Sequence, residues 1–320
     1  MIAYFTDRLE PNLLIFIGVL AAFAATCLLL SRCQRFLPRD HGRDYAVEGT
    51  LSQGKPRGAG FLFILVFLAA ALVFGEFTRE IIIYLILIAA AMMTGFLDDC
   101  ARTPWGELKK GLFDLAIAVM TAVTFLNFNS GSVHFALFGY DMVLHPVVYG
   151  ALAVILVWVS INVTNCSDGV DGLSGTIGII TLMTIYSLEQ KLGVSGGDSW
   201  MILFFAACIL GYLWFNATPS RLLMGDAGSR AMGLFISIAV LKSGCPFFYI
   251  PAALVFIADG GLGLIKVSLL RYLKIKILKN TRTPLHDHVR KVWNWSNTQT
   301  VFRFAIIQIV ISVAAVYLAG

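Results

Sequence analysis

A polar stretch between two long apolar runs carries the side chains in this sequence that are best suited to chemistry. Within residues 162–172 stand two carboxamides and two carboxylates, together with two glycines: Asn162, Asn165, Asp168 and Asp171, with Gly169 and Gly172. Carboxylates can bind Mg²⁺ or accept hydrogen bonds from a ligand, and glycine lets backbone N–H groups approach a ligand closely. A solvated turn with local side-chain caps is the simpler explanation. We favour a binding site, because other acidic clusters are predicted on the same side of the membrane.

Composition identifies the environment of this stretch. Of the 320 residues, 58% are apolar and only 13% are charged, which excludes an ordinary soluble domain. A helix needs roughly 20 apolar residues to cross hydrocarbon. The sequence therefore predicts an all-α integral membrane protein, a single polytopic domain over residues 1–320 with about ten spans. The predicted spans are 12–31, 58–75, 80–97, 112–127, 145–161, 173–188, 200–215, 229–242, 246–270 and 300–319.

The distribution of Lys and Arg predicts the orientation of these spans. All but four of the 24 basic residues lie in or next to the loops that follow the odd-numbered spans. The exceptions are Arg8, Arg79, Lys191 and Lys242. Cytoplasmic loops carry the excess of positive charge, so both termini are predicted outside and the loops after odd-numbered spans in the cytoplasm. The outer loop from Asn127 to Leu144 alternates around turn residues, which predicts a small β-hairpin on the outer face.

Three more polar clusters fall in the predicted cytoplasmic loops. Asp98 and Asp99 end the third span, where adjacent carboxylates repel each other unless a cation such as Mg²⁺ or a lysine relieves them. Lys110 follows shortly afterwards. In the first loop, Lys55 stands in a glycine-rich turn and offers a point charge for phosphate. The third cluster begins at Asn216 and leads to Asp226, which is flanked by glycines at the entry to the eighth span.

The last predicted cytoplasmic loop contains His286 and His288, separated by one residue. Two such histidines could be zinc ligands, but the sequence offers no convincing candidates for the other ligands that a zinc site needs. Contact with a phosphate or a lipid headgroup fits their basic surroundings better. Asp259 precedes two glycines in the ninth run, and an acid inside the membrane is usually functional or paired. The glycines predict a bend or break there.

Together these clusters predict a cytoplasmic active-site cleft that contains the kinds of side chain needed for phosphoryl transfer. That reaction needs charge neutralisation and positioning more than covalent chemistry. A Mg²⁺ ion held by one or two carboxylates and completed by the substrate's phosphates suits these side chains. A site at the bilayer edge suits one water-soluble and one lipid substrate.

The motifs in these clusters resemble those of a known family, the polyprenyl-phosphate N-acetylhexosamine-1-phosphate transferases. Within that family they are most similar to the branch whose donor is UDP-N-acetylmuramoyl-pentapeptide. The resemblance extends from about Arg43 to the C-terminus, and the segment that distinguishes the branch is 283–304. The motifs that carry it are Asp98-Asp99, residues 162–172, residues 224–229, Pro284-Leu285-His286, residues 295–299 and residues 301–304.

The resemblance implies a ten-helix enzyme of the bacterial inner membrane, usually a homodimer. It would transfer phospho-N-acetylmuramoyl-pentapeptide from UDP to undecaprenyl phosphate, giving UMP and the first lipid intermediate of peptidoglycan. By the same resemblance, Asp226 would bind Mg²⁺, and Asp98 would be the base or the partner of the lipid phosphate, with Asp99 in support. His286 and His288 would belong to the catalytic rim. Nucleoside antibiotics would be inhibitors, and no nucleic acid is expected. The implied substrate-binding residues are Lys55, Lys110, Asn162, Asn165, Asp168, Asp171 and Asn216.

This sequence departs from the family pattern at several positions. Asp287 replaces the middle of three histidines, and Arg290 stands where a glutamate is usual. Leu223 replaces an aromatic residue, and Arg230 an apolar one.

Two other functions stay open at this stage. The nearer is a sister transferase that uses UDP-N-acetylglucosamine or a related UDP-sugar. The more distant is an ion-coupled transporter with Asp259 in its pathway, although a transporter usually shows an internal repeat and acids at mid-membrane. Here no repeat is visible, and most acids cluster at one predicted face.

Overall fold

The computed structural model describes residues 10–40, 42, 52–101, 103–193 and 198–319. These residues form helices with one small β-sheet. The helices are α1 (Pro11–Cys33), α2 (Ala59–Phe74), α3 (Arg79–Asp99), α4 (Glu107–Phe128), α5 (Pro146–Cys166), α6 (Leu173–Leu192), α7 (Ser199–Asn216), α8 (Gly225–Lys242), α9 (Tyr249–Ala252), α10 (Leu254–Phe256), α11 (Leu262–Tyr272), α12 (Leu285–Val292) and α13 (Asn297–Leu318).

Six of the described helices are long and apolar enough to cross a membrane: α1, α3, α4, α5, α7 and α13. A bent pair, Pro246–Ala252 with Leu254–Tyr272, makes a seventh if it counts as one span. The chain is therefore mostly helical, with the character of a multi-pass membrane protein. The other three predicted spans correspond to α2, which is shorter, and to α6 and α8, which are more polar. The count of ten and the location of both termini stay predictions.

Helix α8 is surrounded by protein. Every residue from Gly225 to Leu241 is buried, and α8 packs most extensively against α3 and α5. Because neighbouring helices cover it on all sides, its polar residues face other protein groups and not lipid. This explains how one helix can carry both Asp226 and Arg230.

The outer loop forms the hairpin that the sequence predicts. Strand β1 (Ser132–Phe135) pairs antiparallel with β2 (Tyr140–Val143). The backbone N–H of His134 donates to the carbonyl of Gly244 at 2.9 Å. The hairpin is thereby attached to the turn that follows α8.

The ninth apolar run is broken, although not at the glycines where the sequence predicts the break. The chain bends by 73° between Pro246–Ala252 and Leu254–Tyr272. Residues Ile257–Gly261, including the two glycines, then form a π turn, a feature that is frequent at functional sites. The bend lies upstream of the glycines, and the π turn places Asp259 in the protein interior, where it is 1% exposed.

Labelling of single cysteines tests the predicted orientation. Phe138 in the hairpin turn is 81% exposed, and Lys279 is exposed in the segment after α11. In a Cys100→Ser background, which removes the one exposed native cysteine among the described residues, we expect a membrane-impermeant maleimide to label Phe138→Cys in intact cells. Lys279→Cys should react only after the cells are opened. The reverse pattern would contradict the predicted orientation.

Candidate active site

Five charged side chains from four segments form a compact charge cluster: Arg57, Asp98, Asp99, Lys110 and Asp226. The Lys110 ammonium lies 2.5 Å from an oxygen of Asp98 and 2.9 Å from an oxygen of Asp226. The Arg57 guanidinium lies 2.9 Å from Asp99 and 3.3 Å from Asp226. Asp226 is therefore the member of the charge cluster that both cations contact.

Asp99 fixes the beginning of α8. Its two carboxylate oxygens accept hydrogen bonds from the backbone N–H groups of Asp226 and Ala227, each at 3.1 Å. A carboxylate at a helix N-terminus satisfies free backbone donors and complements the helix dipole. Gly225 has a φ of +73°, and a Cβ at this position would lie 2.3 Å from an oxygen of Asp99. Glycine is thus required for this approach, and Asp99 acts here by positioning Asp226.

The charge cluster keeps Asp226 ionised. Burial opposes ionisation of this carboxyl group, but the neighbouring cations Lys110 and Arg57 outweigh that effect and hold its pKa well below the usual range. Burial also works against the charge on Arg57, and the carboxylates of Asp99 and Asp226 raise the pKa of its guanidinium above the ordinary value. The contacts with Lys110 and Arg57 therefore favour the ionised form of Asp226.

Beside the charge cluster opens a cleft of about 810 Å³. Asp226 is the one aspartate of the cluster that lines it; Asp98, Asp99 and Lys110 lie behind Asp226. Seven predicted site residues line the cleft: Lys55, Asn165, Asp168, Asp171, Asn216, Asp226 and His286. They come from turns and helix ends, and the structure brings these seven residues together in one cleft.

One wall of the cleft connects the glycine-rich turn to the loop after α7. The Lys55 ammonium donates to the hydroxyl of Ser220 at 2.9 Å and lies 3.7 Å from a carboxylate oxygen of Asp171. That same oxygen accepts the backbone N–H of Ser220 at 3.1 Å. Lys55 is about a quarter exposed, so its ammonium can exchange these contacts for a ligand's phosphate.

The polar residues of the other loops are held by hydrogen bonds. The Asn216 side chain accepts the backbone N–H of Gly172 and donates to the carbonyl of Leu222, both at 2.8 Å. It is 4% exposed, so it mainly joins two loops of the cleft wall. Asn165 donates to the hydroxyl of Ser229 at 2.9 Å, which ties the end of α5 to the first turn of α8.

Two predicted site residues belong neither to the cleft lining nor to the charge cluster. The Asn162 side chain donates back along α5 to the carbonyl of Trp158 at 2.9 Å. The His288 ring accepts the backbone N–H of Arg282 at 3.2 Å and packs edge-on against Trp293. Neither belongs to the lining of the cleft. Direct substrate contact by these two residues stays a prediction.

His286 lies in the cleft wall as the partner of Asp259. One carboxylate oxygen of Asp259 is 2.8 Å from Nδ1 of His286, and the other accepts the backbone N–H of His286 at 2.8 Å. The ring packs against Gly169, where a Cβ would lie 2.3 Å from Nε2. The buried acid predicted in the ninth run is therefore paired, and the pair attaches α12 to the π turn.

The donor set of the cleft fits a cation that is shared with a substrate. Among the described residues, no group of three or more His, Cys, Asp or Glu side chains could hold a metal ion by itself. Mg²⁺ usually binds through one or two carboxylates and completes its shell with water and substrate phosphates. Asp226, an ionised carboxylate in the wall of the cleft, meets that description.

Sequence reasoning missed several groups of the site. It predicts Arg57 only as a positive-inside cation, yet this residue contacts Asp99 and Asp226. Its position in the same glycine-rich turn as Lys55 is the signal that could have identified it. Asp287, Arg290 and Asn297 also line the cleft, and a guanidinium nitrogen of Arg290 lies 3.5 Å from Asp287.

The Asp259–His286 pair predicts a titration that can be measured. Burial disfavours charge on His286, but the carboxylate of Asp259 outweighs burial and raises the histidine pKa above its ordinary value. Because the folded-state pKa is raised, the pair stabilises the fold fully below the ordinary histidine pKa, and this contribution is lost as the pH rises through the raised value.

We expect histidine NMR to show a lower pKa for His286 in Asp259→Asn than in the original protein. The difference in melting temperature between the two proteins should shrink as the pH rises. An unchanged His286 titration would contradict the role given to Asp259.

Comparisons with known proteins agree with this geometry. The sequence model of glycosyl transferase family 4 matches residues 81–244, which include the charge cluster except Arg57. A phospho-N-acetylmuramoyl-pentapeptide-transferase of Treponema pallidum subsp. pallidum is 40% identical, with 91% of this chain and 85% of the relative covered. Proteins of the same name from Wolbachia sp. subsp. Brugia malayi and Borrelia garinii subsp. bavariensis are 27% and 26% identical over 82% of this chain, covering 83% and 81% of their own lengths. The chain therefore belongs to glycosyl transferase family 4, in the group of the phospho-N-acetylmuramoyl-pentapeptide-transferases.

Proposed function

We propose that this protein transfers phospho-N-acetylmuramoyl-pentapeptide from UDP to undecaprenyl phosphate. The products are UMP and the first lipid intermediate of peptidoglycan. The observation that carries the proposal is the position of Asp226 in the wall of a polar cleft, in contact with both Arg57 and Lys110. The relatives' shared name supports the donor. We place the enzyme in a bacterial inner membrane with the cleft on the cytoplasmic side, since the basic residues favour that orientation.

The cations around the cleft suit the phosphates of both substrates. Lys55 and Arg57 line it directly, and Lys110 reaches Asp226 from behind. Transfer of a phosphoryl group passes through a transition state with negative charge on its oxygens, so fixed cations accelerate it by electrostatic stabilisation. The carboxylates and carboxamide of Asp168, Asp171 and Asn165 can bind the hydroxyl and base edges of the donor's nucleoside.

Asp226 is the residue that would hold Mg²⁺. A bound Mg²⁺ would neutralise charge on the donor's diphosphate. Asp226 would bind it by exchanging its contact with Arg57 for the metal. Lys110 would keep its contacts with Asp98 and Asp226.

Asp98 would act on the acceptor. It is buried, 5% exposed, and it accepts the backbone N–H of Trp105 at 2.6 Å in addition to the Lys110 ammonium. In our proposal the oxygen that contacts Lys110 also accepts a proton from the acceptor phosphate. The hydrogen bond from Trp105 and the contact with Lys110 keep the carboxylate in place.

The sister-transferase and transporter functions are less well supported. The relatives are named for the pentapeptide donor and not for a sister UDP-sugar. Asp259, the acid that a transporter would place in its pathway, is engaged by both its oxygens with His286. From the family resemblance we also expect a homodimer and inhibition by nucleoside analogues of the donor.

A UMP-release assay in detergent tests the proposal. With undecaprenyl phosphate and Mg²⁺, we expect release from UDP-N-acetylmuramoyl-pentapeptide, none from UDP-N-acetylglucosamine, and none after chelation of the metal. Asp226→Asn should lower turnover at least about 100-fold. Asp141→Asn, in the exposed hairpin far from the cleft, is the control and should keep full turnover. Release from UDP-N-acetylglucosamine alone would assign the chain to the sister function, and release from neither donor by well-folded protein would contradict transfer altogether.

A further inference from the structure

Helices α4 and α8 are joined by two ion pairs of opposite polarity, one above the other. The first is the Lys110–Asp226 contact of the charge cluster. One helical turn further along both helices, Arg230 of α8 contacts Asp114 of α4, with Nε donating to a carboxylate oxygen at 3.0 Å and Nη2 donating to the same oxygen. The two side chains are 2% and 4% exposed, so this second pair does not line the cleft.

A buried ion pair is a costly way to join two helices. Desolvation of both charges offsets much of their attraction, and well-packed apolar residues often stabilise equally well. The family resemblance also predicts an apolar residue at position 230. Buried ion pairs are best known for fixing register and specificity, and here the register of α4 against α8 determines where Lys110 lies.

The end of α4 that carries Lys110 is held by a few polar contacts and not by buried packing: Nε1 of Trp158 donates to the carbonyl of Gly111 at 3.3 Å, and Arg271 contacts Glu107. From Glu107 to Phe113 no residue is buried, and Asp114 is the first buried residue of the helix. Gly111 has no atom close to where a Cβ would stand. On this side of the helix, Arg230 is also the residue that reaches the backbone of Lys110: its Nη2 lies 3.4 Å from the Lys110 carbonyl oxygen.

We propose that the Arg230–Asp114 pair is a positioning device for the reaction, fixing the first turns of α4 against α8 so that the Lys110 ammonium stays between Asp98 and Asp226. This inference rests on the proposed function for its catalytic consequence. Arg230 and Asp114 touch neither substrate nor metal. They act through Lys110, whose ammonium must be within hydrogen-bonding distance of two carboxylates at once.

The test is a cycle of variants around Lys110. Asp114→Leu/Arg230→Leu removes both charges together, so no unpaired charge is left buried. We expect this double variant to fold, with its kcat for UMP release lowered on the order of tenfold to 100-fold and its KM for the donor nearly unchanged, because misplacement of a catalytic group by about 1 Å has effects of that size. The fold-loss of kcat caused by Lys110→Met should then be several times smaller in the double variant than in the original protein. The reason is that both changes disrupt the same positioned ammonium group.

Two controls separate positioning from general stability. Glu80→Gln/Lys242→Met removes a comparable pair at the other end of α8, where the ammonium lies 2.8 Å from the carboxylate. This variant should have a lower melting temperature. In it, Lys110→Met should lower kcat by the same factor as in the original protein. Arg230→Lys keeps the charge but lacks the guanidinium group that contacts both Asp114 and Lys110. Its kcat should lie between those of the double variant and the original protein. It also replaces the double variant in the test if that protein does not fold.

Hydrogen–deuterium exchange gives a readout that needs no activity. Exchange of residues 107–113 should rise in the double variant and stay unchanged in the Glu80/Lys242 control. The proposal would be overturned if the double variant kept full kcat, lost as much kcat on Lys110→Met as the original protein, and showed unchanged exchange. The Arg230–Asp114 pair would then contribute only to packing. If the original protein releases UMP from no donor, the proposed function fails, while the exchange result still decides whether the pair fixes α4.

Discussion

The structure depends on keeping one carboxylate, Asp226, ionised inside a bundle of apolar helices. An isolated buried carboxylate would take up a proton. Two cations prevent this: Lys110 at 2.9 Å and Arg57 at 3.3 Å. Each cation is in turn held by another aspartate, Asp98 or Asp99. Because these five groups come from distant parts of the chain, the ends of α3, α4 and α8 and the turn before α2 must meet at one point.

The central position of α8 makes this arrangement possible. Since α8 is covered by protein along its length, it can carry charged residues that a lipid-facing helix would expel. The same protection explains why α8 can be less apolar than an ordinary membrane span. Its N-terminus also supplies free backbone N–H groups, and Asp99 accepts two of them. The cluster thus uses both the helix dipole and the side-chain charges to fix the geometry of the cleft wall.

Sequence reasoning located the acidic clusters and the hairpin and predicted that the ninth run is broken, because glycines and acids in an apolar chain are conspicuous. It did not find Arg57 or the Arg230–Asp114 pair. The pair joins residues on two helices far apart in sequence, and nothing local marks Asp114 as the partner of Arg230. It also could not separate neighbouring residues, since Asn165 and His286 line the cleft while Asn162 and His288 do not. The number of spans was harder to predict because a buried polar helix and a short apolar one give weak signals.

The most direct test of this account locates the metal. Crystals grown with the UDP-linked donor and Mn²⁺ in place of Mg²⁺ would reveal the ion by its anomalous scattering. We predict one peak at bonding distance from a carboxylate oxygen of Asp226, about 2.0–2.2 Å, with Lys110 still in contact with Asp98. A metal bound elsewhere, with Asp226 still paired to both Lys110 and Arg57, would contradict the central role given to Asp226.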